Sequence, residues 1–322
     1  MNHFSPLTHG RAVFLDFETV DFDNDLDRSP LSNLVPHLEF FDNTTDAQLA
    51  DRLLNAEIIL TNSVGINASM ISNNPHLKFI GLTATGFNHI DIEAAKEHAV
   101  AVTNLKDYCT QSVVQHAFSG FLSLNQKLNY YHSAVKSGQW NPRGLGPIRE
   151  LQNLTMGIIG HGVLGSAMQD FALKLGMRVM VAAHPDKPAS PGELPLDEVL
   201  MRSDVLSLHI PLNDRTRGLL NETKLRLMRP HAILINVARG AVVDNDALAR
   251  VLRDGHLGGA FIDVFDREPP PVNHPLVSLD LPNVIVSPHM AWGSFEARQR
   301  AINELAANLA SFYRGKRRLR VV

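Results

Sequence analysis

Cysteine is almost missing from this sequence: Cys109 is the only one among 322 residues. No disulfide can form within the chain, which excludes a disulfide scaffold and suits a reducing, cytoplasmic setting. The lone thiol reads as a small apolar filler. A dominant charge is missing too. The 30 Lys and Arg nearly balance 33 Asp and Glu, a formal net charge of −3, so no strong field marks the chain for nucleic acid or an anionic membrane. No apolar run is long enough to span a bilayer. Met1 to Gly10 holds no basic region followed by an apolar core, so no secretory leader is expected. The basic run Gly315-Lys-Arg-Arg-Leu-Arg320 is expected to be a solvated end.

Several chemistries lack their motifs. There is no Gly-x-Ser-x-Gly nucleophile elbow, and no His-Glu-x-x-His zinc pair despite 15 histidines. Asp21-Phe-Asp-Asn-Asp-Leu-Asp27 has the beginnings of a calcium loop. Its sharp-turn glycine position holds Leu26, however, and its bidentate glutamate position holds Ser32. It is expected to be a polar loop.

What is present is an alternation of short apolar runs with helical spacings, the mark of parallel sheets covered by helices. Strands are expected at Ala12–Phe17, Glu57–Thr61, Leu77–Thr83 and Ala99–Thr103. Helices are expected at Asp46–Leu54, Ala68–Ser72 and Asp91–His98 between them. Ser112–Val135 reads as one long helix. It is too apolar for a lone surface helix, so it is expected to bury itself between domains or against a second subunit. A second βα series occupies residues 151–288, and Ser294–Arg314 forms a last helix that should cross back to the first domain.

The second series opens on Thr155-Met-Gly-Ile-Ile-Gly-His-Gly-Val-Leu-Gly-Ser166, a strand, a tight glycine turn and a helix. Alone, Gly-x-Gly-x-x-Gly is a weak signal; in this context it predicts dinucleotide binding. Gly160 permits the turn, Gly162 lets backbone approach a pyrophosphate, and Gly165 lets helix pack on strand. The helix start offers free N–H groups to phosphate.

Ligands in such sheets bind beyond the carboxyl ends of strands. Arg239, Asp263 to Glu268, and His289 all fall there, as does Ala84-Thr-Gly-Phe-Asn88 in the first domain. Each has an ordinary alternative. Arg239 is a surface arginine by default, but it adjoins Gly240 at the end of an apolar strand. Glu268, before Pro269-Pro-Pro271, is by default a solvated loop acid. His289 after Pro288 is as readily structural as functional. Asp263, in an apolar strand end, needs a partner.

Taken together these segments resemble the D-isomer-specific 2-hydroxyacid dehydrogenases over Asn104–Ser294. Asn236-Val-Ala-Arg-Gly240, Gly259-Ala-Phe-Ile-Asp-Val-Phe-Asp-Arg-Glu-Pro269 and Ser287-Pro-His-Met-Ala-Trp292 match three family segments in order and spacing. Gly160–Gly165 matches the cofactor loop. Leu208-His-Ile-Pro-Leu212, followed by Thr216, matches a strand-end segment, and Ala84–Asn88 extends the likeness into the first domain. Pro288-His-Met-Ala-Trp-Gly-Ser294 is most similar to the glycerate dehydrogenase, or hydroxypyruvate reductase, branch.

The resemblance implies an α/β fold of two domains. A flavodoxin-like substrate domain would span 1–104 plus 290–322. A Rossmann doubly wound parallel-sheet domain would span 105–289, including the dimerisation helix and loop; the apolar helix at Ser112–Val135, as a self-complementary surface, leads to the expectation of a homodimer. It implies hydride transfer between NAD or NADP and a small D-2-hydroxy or 2-keto acid, with hydroxypyruvate to D-glycerate as the expected reaction. Arg239 would bind the substrate carboxylate, where its planar fork suits a two-oxygen anion. His289 would give and take the proton at the carbonyl oxygen, oriented by Glu268. Thr85 and Gly86 would hold the carboxylate through backbone N–H groups. Gly160, Gly162, Val163, Leu164, Gly165, His184, Pro211, Val237 and Asp263 would face the cofactor, Asp263 at the nicotinamide carboxamide.

Two departures stand out. Where NAD-preferring members carry an acid after the second strand, this chain has Ala183, followed by His184-Pro-Asp-Lys187. His184 or Lys187 is then a candidate for a 2′-phosphate, and NAD or dual use is expected. Ser63 stands where relatives often carry lysine. Alternatives are a glyoxylate reductase, a broader 2-keto acid reductase or a phosphoglycerate dehydrogenase, although the first-domain loops are poor in the bases a phosphate would want. A different class is a nucleotide-sensing, corepressor-like binding protein, against which the intact Arg239, Glu268 and His289 argue. Trp140 and Trp292 are candidates for lining the pocket or for packing.

Overall fold

A computed structural model of the chain describes residues 10–141, 143, 146–185 and 188–322. In chain order these residues form β1 (Arg11–Phe14), α1 (Ser29–Ser32), β2 (Leu38–Phe40), α2 (Asp46–Leu53), β3 (Ala56–Thr61), α3 (Ala68–Ser72), β4 (Phe79–Leu82), α4 (Ile92–Glu97) and β5 (Ala101–Thr103). There follow α5 (Thr110–Asn125), α6 (Leu128–Lys136), β6 (Thr155–Ile159), α7 (Val163–Lys174), β7 (Arg178–Ala182), β8 (Glu193–Leu194), α8 (Leu196–Arg202) and β9 (Val205–Leu208). The chain closes with α9 (Glu222–Leu227), β10 (Ile233–Asn236), α10 (Asn245–Arg253), β11 (Gly259–Ile262), β12 (Val284–Val286) and α11 (Phe295–Tyr313). Two compact units result, one from Met1–Cys109 with Gly293–Val322 and one from Thr110–Trp292.

In the first unit five parallel strands lie in the order β2-β1-β3-β4-β5, the flavodoxin-like order. Val13, Ile59, Ile80 and Val102 alternate onto one face and meet Leu49, Leu53, Ile71 and Ala95 from α2, α3 and α4. Helix α11 belongs to this unit. Ser294 caps it by accepting from the Ala297 amide, and Ala297, Ala301, Ile302, Leu305 and Leu309 form its buried stripe. Two of the short strands, β2 and β8, are too brief to show a period in sequence.

The acidic loop at 21–27 has a structural occupation. Asp21 accepts from the Asp25 and Leu26 amides and from Arg28. Asp23 and Asp25 accept from Arg298, which also donates to the Val20 and Gly293 carbonyls. Arg298 is 2% exposed, yet its guanidinium is fully engaged and lies 4.1 Å from the Phe22 ring centroid. Removing it strands the buried Val20 carbonyl, the partly buried Gly293 carbonyl and two acids. Arg298→Met is expected to cost about 3 kcal/mol in urea unfolding, the lower end for a broken buried pair because the acids still reach water. A loss under about 1 kcal/mol would mean that the loop is held by something else.

The second unit has seven parallel strands in the order β12-β11-β10-β9-β6-β7-β8. The strand order reverses between β9 and β6, which places a ligand crevice at their carboxyl ends. The single helix expected over Ser112–Val135 is two helices. The chain turns at Lys127, whose φ is +56°. α5 buries Val113, Val114, Ala117, Phe118 and Phe121, and packs on β10, β11 and α7 of its own unit. The apolar excess read in the sequence therefore covers this sheet. α6 buries no residue. No helix among the described residues is long and apolar enough to cross a membrane.

Candidate active site

The glycine turn after β6 has the geometry its sequence asks for. Gly160 takes φ +92°, and a Cβ there would meet the His209 carbonyl and the Ile210 amide at 2.6–2.7 Å. A Cβ on Gly165 would run into the Gly160 carbonyl, whereas Gly162, the residue before α7, has open space at its Cβ position. The result is an unobstructed backbone cradle at the start of a helix whose first amides have no partner within the helix. Gly162, Val163, Leu164 and Gly165 supply those amides, and Val163 is exposed there. This fits a dinucleotide pyrophosphate. Beneath the turn His209 is partly buried, its ring turned away from water. Burial pushes it down to about 4, so its ring is neutral, and Nε2 pairs with Ser207 Oγ at 2.9 Å. Pro211 follows on the same strand exit and accepts from Thr216 Oγ1. Val237 is buried just beyond β10.

Beyond β10, β11 and β12 lie the titratable groups. His289 Nδ1 and Glu268 Oε2 are 2.6 Å apart. With Glu268 ionised, Nδ1 carries the proton, and Nε2 is the nitrogen left to exchange a proton with a ligand. Burial alone would raise the Glu268 carboxyl. The His289 bond, the Phe265 amide and the nearby charge of Arg239 outweigh it and hold Glu268 below its usual range. Arg239 follows β10, exposed, with Nη1 donating to the Ala238 carbonyl. Gly240 next to it has no alternative: a Cβ would collide with the Phe265 and Asp266 backbone. That close approach sets Arg239 beside the loop that carries Glu268.

His289 sits at φ +51°, a conformation that costs an L-residue about 1–2 kcal/mol. Its support comes from Asp263. The His289 amide donates to the Asp263 carbonyl at 2.7 Å. The carboxylate, fully buried, accepts from Ser287 Oγ, the Met290 amide and the Ala291 amide at 2.6–3.0 Å. His116 on α5 adds Nε2 at 3.4 Å and reaches Ser287 Oγ at 3.1 Å. Burial would raise the Asp263 carboxyl, but these donors keep it below its ordinary value. The partner that the sequence demanded for Asp263 is thus a ring of donors around the His289 turn. Asp263→Asn replaces an acceptor oxygen with a donor facing them. It is expected to cut kcat about 100-fold through misplacement of His289, with the circular dichroism spectrum retained. An unchanged kcat would show that the turn holds itself.

In the first unit, Thr85 and Gly86 lie on the loop after β4. Asn104 Nδ2 donates to the Thr85 carbonyl at 2.8 Å, and the Leu105 amide to the Ala84 carbonyl at 2.9 Å. Ser63 follows β3. Its amide and hydroxyl donate to Asp16, a buried acid that also receives the Asn62 and Val64 amides. The sequence flagged Ser63 but missed Asp16, although an acid ending an apolar strand was the same signal that singled out Asp263. His116 was missed too, because its helix reads as pure core. His184 lies two residues beyond β7, after Ala183, whereas Asp186 and Lys187 fall outside the described residues. Trp140 is 90% exposed, and Trp292 Nε1 donates to the His289 carbonyl.

Residues 118–291 match the family model described as D-isomer specific 2-hydroxyacid dehydrogenase, NAD binding domain. The chain is 36% identical over 313 residues to a glycerate dehydrogenase of Methylorubrum extorquens, covering 95% of this chain and 97% of that one. It is 35% identical to a glyoxylate reductase of Pyrococcus furiosus, over 84% and 83% of the two chains. Among solved structures it resembles the D-lactate dehydrogenase of Aquifex aeolicus complexed with NAD and lactic acid, at TM-score 0.81 and 29% identity, covering 95% of this chain and 96% of that one.

Proposed function

The chain belongs to the D-isomer-specific 2-hydroxyacid dehydrogenases, and from that premise we propose that it reduces hydroxypyruvate to D-glycerate, with Arg239, Glu268 and His289 as its working side chains. The observation that carries the reading is the 2.6 Å pair of His289 Nδ1 and Glu268 on the loops next to Arg239. It is an acid–base group already fixed in one tautomer beside an arginine suited to a carboxylate. The nicotinamide, when bound, supplies the hydride. Arg239 orients the carboxylate and draws charge from the keto oxygen. His289 Nε2 places a proton on that oxygen; Glu268 steadies the imidazolium before the transfer and holds the Nδ1–H of the neutral ring after it. Gly160 to Gly165, with His184, Pro211, Val237 and Asp263, are assigned to the cofactor. Thr85 and Gly86 are assigned to the substrate carboxylate; their replacement by proline is expected to raise KM.

Hydroxypyruvate is preferred because the full-length relative at 36% identity is a glycerate dehydrogenase; glyoxylate is the second reading, from relatives named as its reductases. The test is steady-state reduction of hydroxypyruvate, glyoxylate and pyruvate with NADH and NADPH. A kcat/KM for hydroxypyruvate at or below that for glyoxylate would replace the first reading by the second. Absence of turnover with every pair, with cofactor still bound, would favour the corepressor-like binding protein.

We also propose a homodimer in the cytoplasm. Leu128 and Val135 on α6, and Trp140 and Ile148 after it, are exposed apolar side chains on one continuous segment, and self-complementary pairing is the common way to cover such a surface. Light scattering should return the mass of two 35.6 kDa chains. A single-chain mass at assay concentration would reject the dimer.

A further inference from the structure

We infer that Asn104 is a positioning residue for the reaction: backed by residues 318–322, it turns the Thr85 and Gly86 amides towards the substrate carboxylate. The inference rests on the dehydrogenase reading and deepens it.

The peptides that join Ala84 to Thr85 and Thr85 to Gly86 are trans. In a trans peptide the C=O and the following N–H share a plane and point opposite ways. Both carbonyls of this loop are tied back to one segment. Asn104 Nδ2 donates to the Thr85 carbonyl at 2.8 Å, and the Leu105 amide donates to the Ala84 carbonyl at 2.9 Å. The Gly86 N–H is thereby turned away from Asn104, and the Thr85 N–H away from Leu105. Among the described residues neither amide has an acceptor. Two backbone donors held in this way suit a carboxylate, which accepts charge-assisted bonds from such amides.

Asn104 is itself buried and held on both sides of its backbone. Its amide donates to the Leu319 carbonyl at 3.3 Å, and its carbonyl accepts from Asn308 Nδ2 on α11 at 3.1 Å. Asn308, 1% exposed, accepts in turn from Arg318 Nη1, and Arg318 Nη2 pairs with Glu304 one turn earlier on α11. β5 is the outer strand of its sheet, and an open edge is commonly covered. Residues 319–322 cover this one. The Val321 amide donates to the Val102 carbonyl at 2.8 Å, the Val102 amide donates to the Val322 carbonyl at 3.4 Å, and Arg320 bridges Thr103 in the antiparallel sense. Val321 and Val322 pack against the core of the unit. The basic run at 315–320 is therefore a solvated end only as far as Arg317; from Arg318 onwards the chain is partly buried and built into the sheet edge. Covering that edge needs backbone groups alone. The Asn104 side chain takes no part in it and serves the Thr85 carbonyl instead.

The test compares the wild type with Asn104→Ala and Asn104→Asp. Two quantities are read: steady-state reduction of hydroxypyruvate with the better of NADH and NADPH, and binding of oxamate, an unreactive 2-carbonyl carboxylate, to the enzyme–coenzyme complex. A carboxylate is gripped alike in the ground and transition states, so loosening that grip raises KM and spares kcat. Asn104→Ala is expected to raise KM and the oxamate Kd about tenfold, with kcat and the coenzyme Kd within about twofold, the affinity equivalent of one hydrogen bond to a charged group. Asn104→Asp sets an acceptor against the Thr85 carbonyl and should raise both further. Arg318→Met, which leaves the edge pairing in place, should raise KM in the wild type but not in Asn104→Ala, because the two act through one contact. An unchanged KM and oxamate Kd in both Asn104 variants would overturn the inference. So would a joint loss of kcat, substrate affinity and coenzyme affinity, the mark of a merely structural residue. A wild type that neither reduces a keto acid nor binds oxamate would instead overturn the dehydrogenase reading on which the inference rests.

Discussion

His289→Asn is expected to lower kcat for keto-acid reduction about a thousandfold, within the range for loss of a positioned acid–base group, while the Kd for the reduced cofactor changes less than about threefold. The substitution keeps a polar group of similar reach and tolerates the left-handed backbone at this position, so the turn built on Asp263 should survive. Asparagine cannot deliver a proton, so what is lost is the transfer to the keto oxygen. Stopped-flow measurement with saturating cofactor separates the two quantities. A collapse of cofactor affinity with near-normal turnover at saturation would remove His289 from the chemistry and make it a binding residue. Glu268→Gln tests the other half of the pair. Glu268 is held below its usual value, so it stays ionised across the working range and favours the imidazolium. Reduction needs the protonated ring, and without the carboxylate that charged form loses its partner and the ring its orientation, so Glu268→Gln should lower kcat for reduction about a hundredfold. A kcat within about twofold of the wild type would show that Glu268 neither orients His289 nor supports its charged form.

The glycine turn was legible in the sequence because its requirements are local. A φ of +92° at Gly160 and a backbone pressed against Gly165 admit almost no other residue. Arg239, Glu268 and His289 were legible as polar residues at the ends of apolar strands, where a parallel sheet collects its ligand groups. Their supports were not, because those are separated in the chain. His116 reaches Ser287 across 171 positions, and Arg298 meets Asp25 across 273. The acidic loop at 21–27 consequently looked like a failed metal site when it was the outer half of an ion cluster around the buried Arg298. The helix at 112–135 misled for a related reason. Apolar content gives the amount of surface to be covered but not what covers it, and α5 lies on β10 and β11 of its own sheet.

Arg239→Gln is expected to cost about a thousandfold in kcat/KM, with KM for the keto acid rising and kcat falling together. The arginine is asked to do two things. It holds the carboxylate in the ground state, an interaction of about 1.5–3 kcal/mol for a hydrogen bond to a charged group, and this part appears in KM. It also faces the keto oxygen, where negative charge grows as hydride arrives. Loss of one donor aimed at such charge typically costs a hundredfold to a thousandfold in kcat. Glutamine can donate one bond but carries no charge, so both parts are diminished. Arg239→Lys separates them. A point charge restores attraction to the carboxylate but not the fork that spans two atoms, so KM should recover more than kcat. Gly240 makes the contrast sharper. The backbone at 239 and 240 is pinned against Phe265 and Asp266, so a shorter cationic side chain cannot move forward to compensate. If lysine restored kcat fully, Arg239 would be acting as charge alone, and polarisation of the keto oxygen would have to be assigned to His289. A change confined to KM in both variants would limit Arg239 to substrate capture.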